Sequence, residues 1–164
     1  KLNNKDIGSS ICCNGACLTL LKVKKNLLDF FISHETIKKT NLKIIKVIKL
    51  INLEKSIKFG NKISGHYVQG HVDLCSDVKK ISKIGKSWVL KINIPTKFKK
   101  FIVEKGSIAI NGVSLTISKV NKLDFEITII PHTLSLTNLI NLERNSLVNI
   151  EFDIFSKYLI NLNN

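Results

Sequence analysis

Asn14-Gly15-Ala16-Cys17-Leu18-Thr19 returns 97 positions later as Asn111-Gly112-Val113-Ser114-Leu115-Thr116. The same offset carries Thr36 onto Thr133, Thr40-Asn41-Leu42 onto Thr137-Asn138-Leu139, and Asn52 and Glu54 onto Asn149 and Glu151. Ungapped self-similarity of this extent marks a duplicated unit. Asn-Gly tolerates positive φ and joins the apolar run before it to the Leu-Thr run after it, the signature of a tight hairpin. Each unit therefore contains the same hairpin.

Outward from these turns the chain reads as short strands without intervening long helices, which indicates small closed or nearly closed barrels. Trp88 to Ile94 alternates, Pro95 stops it, and Thr96 to Glu104 suits a short helix before Gly106. Residues Ile44 to Leu53, with Lys43, Lys46 and Lys49, have the spacing of a basic amphipathic helix. The repeat argues otherwise. Leu147 to Asp153 alternates with period 2, so Ile51-Asn52-Leu53-Glu54 should be a strand too. The tail from Ile154 through Leu162 has helical spacing. The expected fold is all-β: two similar six-stranded Greek-key barrels in tandem plus a C-terminal helix. The second unit has far more residues ahead of its Asn-Gly turn, so the first barrel is expected to lack its N-terminal strands. The expected boundaries are 1–65 for the first barrel, 66–152 for the second and 153–164 for the helix.

A formal net charge of +14 invites a nucleic-acid reading. The composition opposes it, because Arg144 is the only Arg and aromatics make up 7%. Base readers favour Arg, and single-strand binders need aromatic platforms. Lys97-Phe98-Lys99-Lys100 and the Lys43–Lys62 stretch are the only dense basic runs. No apolar run reaches the ~18 residues of a membrane span. The first residues, Lys1-Leu2-Asn3-Asn4-Lys5-Asp6, lack a signal peptide's apolar core. The chain reads as soluble and cytoplasmic, with neither nucleic acid nor membrane as partner. Cys12, Cys13, Cys17 and Cys75 form no paired zinc spacing, and His66, His71 and Cys75 are a poor metal trio. Reduced thiols and no metal are expected.

The motifs resemble one family. Asn14-Gly15-x-Cys17-Leu18-Thr19, Ser33-His34-Glu35-Thr36, Thr40-Asn41-Leu42, Ser64-Gly65-His66-Tyr67-Val68-Gln69-Gly70-His71-Val72-Asp73, Lys105 through Thr116 and Ile130-Pro131-His132-Thr133-Leu134 together resemble riboflavin synthase, the two-barrel lumazine-binding type. The resemblance runs in order along essentially the whole chain. Its departures are the absent Phe-Thr-Gly-Ile start and Lys43 and Ile140 where the family has a loop Gly. The resemblance implies dismutation of two 6,7-dimethyl-8-ribityllumazine molecules, one giving four carbons to the other to yield riboflavin and a diaminopyrimidinedione, without metal or separate cofactor. It also implies a homotrimer held in part by the C-terminal helix, and it admits lumazine synthase as a further partner.

Twin pockets suit a reaction between two identical molecules, and the repeats differ where reactivity would require it: Cys17 against Ser114, Glu35 against His132. By similarity, Cys17, Leu18, Thr19, Phe31, Ile32, Ser33, His34, Glu35 and Thr36 form the first site. Gly70, His71, Val72, Lys105, Ser114, Leu115, Thr116, Thr128, Ile129, Ile130, Pro131, His132 and Thr133 form the second. The expected catalytic groups are His71 as proton carrier, Cys17 as nucleophile or contact, Ser114, and Asp153 orienting a base or a ribityl hydroxyl. Asn14 and Asn111 are read as turn residues. The competing readings are a non-catalytic lumazine or flavin carrier and an oligonucleotide-binding barrel.

Overall fold

The computed structural model describes residues 2–47 and 50–162. The first unit contains β1 (Ser10–Cys13), β2 (Ala16–Lys24), β3 (Leu27–Phe30), α1 (His34–Lys39) and β4 (Leu53–Lys55). The second contains β5 (Leu74–Ile84), β6 (Ser87–Asn93), β7 (Ser107–Ile110), β8 (Val113–Val120), β9 (Asp124–Ile129), α2 (Pro131–Leu136) and β10 (Leu147–Phe152), and α3 (Ile154–Leu162) closes the chain. Short 3-10 segments at Asn41–Val47 and Asn138–Asn141 follow α1 and α2.

The second unit is a closed six-stranded barrel in the order β10-β5-β6-β9-β8-β7. The first is a four-stranded sheet in the order β3-β2-β1-β4, matching strand for strand the order β9-β8-β7-β10. The registers match as well. Cys12 faces Cys17 and Glu54 as Ala109 faces Ser114 and Glu151. The ladder slips between Leu20 and Lys22 and again between Ile117 and Lys119, which are equivalent positions. A bulge at one place in both copies bends both sheets alike.

The first unit is an open sheet beside one closed barrel, in line with the expectation that it lacks its N-terminal strands, because β3 and β4 do not pair. A groove of about 430 Å³, lined by Leu28 and by Leu53, Glu54 and Lys55, lies between those two edges. The strand expected at Ile51 to Glu54 begins only at Leu53. The cause is the partner: Leu147 to Asn149 of β10 ladder with β5, and among the described residues nothing ladders with the equivalent Leu50 to Asn52. The helical spacing from Ile44 onward becomes a 3-10 segment, with Ile48 and Lys49 outside the described residues. Thr96 to Glu104 is likewise a 3-10 turn over Thr96–Phe101. The helix over Ile154–Leu162 forms as read from its spacing.

Alternation sorts the side chains. Ile11, Cys13, Ala16, Leu18 and Leu20 point into one core, and Ile108, Ile110, Ile117, Phe125, Ile127 and Ile129 into the larger one. Cys17 and Thr19 therefore point outward on β2, as Ser114 and Thr116 do on β8.

The two units meet back to back at their Asn-Gly turns. Asn14 and Asn111 take φ 47° and 49°, followed by Gly15 and Gly112 at 80° and 83°, the geometry of a type I′ turn. A Cβ on Gly15 would lie 2.7 Å from the Gly112 nitrogen, so only glycine permits the approach. Around it, six asparagines bond across the duplication. Asn41 N donates to Asn149 Oδ1 at 2.6 Å and Asn138 N to Asn52 Oδ1 at 2.8 Å. Asn41 Nδ2 reaches Asn111 Oδ1, and Asn138 Nδ2 reaches Asn14 Oδ1. Asn149 Nδ2 donates to Asn14 O and Asn52 Nδ2 to Asn111 O. The bonds come in pairs related by the repeat, so the asparagines form an internal two-fold joint.

Candidate functional site

Cys17 and Ser114 each lie three residues beyond an asparagine of that joint, so the back-to-back turns bring β2 and β8 together. The segment Ser64 to Asp73 then crosses both. At its near end, His66 N donates to Ser114 Oγ at 3.2 Å, and His66 Nδ1 lies 2.7 Å from the same oxygen. At its far end, Gly70 O accepts the Cys17 N–H at 2.8 Å. Gly65 and Gly70 allow this closeness. Both have positive φ, and a Cβ would fall 2.5 Å from Ser114 Oγ or 2.8 Å from Cys17 Cβ.

The segment is fastened from beneath. Glu151, 3% exposed on β10, accepts the backbone N–H of Gln69, Gly70 and His71 at 2.7, 2.8 and 3.0 Å. Asp73 accepts the Phe152 N–H at 2.8 Å and pairs with Lys157 of α3 at 2.7 Å. A carboxylate held by successive amides is a strong, charge-assisted anchor.

Burial holds the His66 imidazole below its ordinary range, against the opposing charges of Asp153 and Glu151. Its Nε2 is buried without a hydrogen-bond partner, a feature native structures reserve for places that need explaining. A neutral imidazole next to a hydroxyl can accept its proton. The thiols differ sharply. Burial pushes Cys12 up to about 12 and Cys13 up to about 11, whereas Cys17 is exposed. Cys17 is thus the one thiol of the four that stands open to a ligand.

Of the expected residues, Cys17, Thr19, Ser114, Thr116, Gly70 and His71 gather at this seam. The His71 side chain is exposed and its backbone is held by Glu151; it is His66, not among the expected site residues, that touches Ser114. Leu18 and Ile129 are core residues, and Leu115, Ile32 and Val72 pack on the cores, so their side chains face away from the outer surface. Ser33 caps α1, bonding Thr36 N at 3.1 Å and lying 2.9 Å from Thr36 Oγ1, and Glu35 pairs with Lys39 at 2.8 Å. Phe31, His34, Lys105, Thr128, Ile130, Pro131 and His132 are exposed and Thr133 half-buried. Asp153 caps α3 through Phe155 N at 3.0 Å. The sequence reading missed Glu151 as a site residue, although the repeat had matched it to Glu54. The larger groove, about 1200 Å³, contains Asn14, Asn111, Trp88 and Arg144 and none of the seam residues.

A family model described as the lumazine binding domain matches residues 2–56 and again 69–153, one match for each unit. The riboflavin synthase of Photobacterium leiognathi is 37% identical over 158 residues, 96% of this chain and 72% of that protein. That of Chlamydia muridarum is 41% identical over 150 residues, 92% of this chain and 74% of its own length. The chain belongs to the riboflavin synthase family. Among solved structures, LumP complexed with 6,7-dimethyl-8-(1'-D-ribityl) lumazine superposes with a TM-score of 0.79 at 26% identity, covering 88% of this chain and 77% of that one. As a family member the chain is an enzyme of riboflavin synthesis.

Proposed function

We propose that the chain converts two molecules of 6,7-dimethyl-8-ribityllumazine into riboflavin and a diaminopyrimidinedione, one molecule addressed by the outward face of β2 at Cys17 and Thr19, the other by that of β8 at Ser114 and Thr116. The observation that carries this reading is the pairing of Ser114 with a half-buried His66 held below its ordinary pKa, while the equivalent position holds an open thiol. Identical substrates must be treated differently if one is to give and the other to take four carbons, and here the surroundings differ. The reaction needs a proton removed from the C7 methyl of one lumazine and a nucleophile added at C7 of the other. The Ser114–His66 pair supplies a hydroxyl with a proton acceptor 2.7 Å away. Facing ring systems held together would supply much of the rate by proximity. Phe31, the start of α1 and the residues Thr128 to Thr133 border the two faces; His71 and Asp153 remain as groups at their rim.

The finer architecture belongs to the same proposal. The first sheet repeats four of the six barrel strands in order, which supports two Greek-key barrels in tandem, divided near residue 65. A homotrimer is supported by α3, whose Phe155, Tyr158 and Leu162 are 68%, 65% and 80% exposed, a row too apolar to leave in water. A cytoplasmic location and a passing association with lumazine synthase fit a step that receives its substrate from another enzyme; no helix of the described residues is long and apolar enough to cross a membrane.

Incubation with 6,7-dimethyl-8-ribityllumazine, read by the rise of riboflavin fluorescence, tests the reading. Turnover supports it. A second reading, a non-catalytic lumazine or flavin carrier, is favoured by the likeness to LumP structures holding lumazine and riboflavin, and binding without product would select it.

A further inference from the structure

We propose that Glu151 is a positioning residue for the reaction: by holding the backbone of Gln69, Gly70 and His71, its carboxylate sets one segment against Cys17 and Ser114 at once. The inference rests on the reading of those two positions as paired lumazine sites.

Two observations carry it. Glu151 is buried in the barrel wall, on the strand whose neighbouring Ile150 is 0% exposed and packs in the core. The anchor is therefore the rigid barrel and not a loop. Next, its two oxygens take three consecutive amides, Oε1 that of Gln69 and Oε2 those of Gly70 and His71. The middle residue is the one whose carbonyl receives the Cys17 N–H. Four residues upstream the same stretch delivers His66 to Ser114. A change at the anchor is thus transmitted to both sites through a few backbone bonds.

The test compares Glu151→Gln with Ile150→Val in the whole chain. Glutamine keeps the size but offers one acceptor and two donors to three amide donors, so the segment loosens. Misplacement of reacting groups by about 1 Å lowers rates on the order of 10²-fold, so kcat should fall by at least tenfold with a smaller change in KM. Hydrogen exchange at the Cys17 amide should speed up. The acid limb of the pH–rate profile should move to lower pH, because a negative charge that favours the His66 imidazolium is gone while Asp153 remains. Ile150→Val destabilises the same strand and should change none of these. A Glu151→Gln protein that behaves like Ile150→Val, with lowered Tm but unaltered kcat, exchange and pH limb, overturns the proposal. Should Glu151→Gln fail to fold, Glu151→Asp keeps the charge with a shorter reach and should show the exchange and kcat effects with the pH limb in place; wild-type values for both overturn the proposal. The exchange measurement needs no substrate. Normal exchange in the variant defeats the positioning role alone, whereas a parent chain that makes no riboflavin defeats the functional reading beneath it.

Discussion

Ser114 and His66 form a hydroxyl–imidazole contact of 2.7 Å. If His66 takes the Ser114 proton, His66→Gln and Ser114→Ala should each lower kcat by roughly 10²-fold, the scale of general base assistance, with lumazine binding by fluorescence titration little altered. Retention of full turnover by His66→Gln would move the chemistry elsewhere, with Cys17 the next group to test. The imidazole also has a signature in stability. Burial holds its folded pKa below the ordinary 6.5, so on acidification the unfolded chain takes up its proton first. Stability from this group is complete above about pH 6.5 and declines as pH falls toward the folded pKa. Tm measured across that window should decline less steeply in His66→Gln than in the parent; parallel curves would contradict the shift. At this scale the sequence was half legible. Cys17 and Ser114 announced themselves by equivalence, but that His66 rather than His71 meets the hydroxyl could not be read from spacing, because both lie in one glycine-rich stretch and only its path decides which ring meets it.

Among the elements, the crossing segment Ser64 to Asp73 is the most constrained. Gly70 has φ 81° and would bring a Cβ within 2.8 Å of Cys17, so strain and contact act together. Gly70→Ala should destabilise by about 1–3 kcal/mol, seen as a lower midpoint in urea. Gly8, at φ 86° with nothing near its missing Cβ, should suffer the conformational penalty alone and thus a smaller loss. Helix α3 poses the opposite case, an element with too little around it. For the proposed trimer, Tyr158→Glu should give smaller species than the parent in sedimentation while leaving the barrel's circular dichroism intact; unchanged sedimentation would show that α3 is not the contact. Strand β4 explains why boundaries are hard to read. The stretch Leu50 to Lys55 is the repeat-mate of β10, yet only Leu53 to Lys55 has a ladder partner, and a strand exists only with its neighbour.

The whole molecule is held as a pair by the asparagine joint. Asn149 is 1% exposed; its side chain donates to Asn14 O and Asn41 Oδ1 and accepts the Asn41 N–H. Asn149→Ala would strand several buried groups, each worth about 1–3 kcal/mol when unpaired. Thermal unfolding should therefore drop by well over the effect of the half-exposed Asn138→Ala, and exchange should rise across both Asn-Gly turns together. Loss confined to one turn would argue that the units are joined elsewhere.

Sequence by itself determined that there are two units, where their hairpins turn, which face of each strand is apolar and which residues differ between copies. These are local properties, set by backbone tolerance and by alternation along one strand. Tertiary structure alone decided that the asparagines of the repeat are a joint as well as turns, and that Glu151 and His66 reach the seam. Each depends on a partner 50 or more residues away for Asn41 with Asn149 and Asn138 with Asn52, and for Glu151 with Gly70. Burial and hydrogen bonding at such separations follow from how elements pack, which no window of the chain contains.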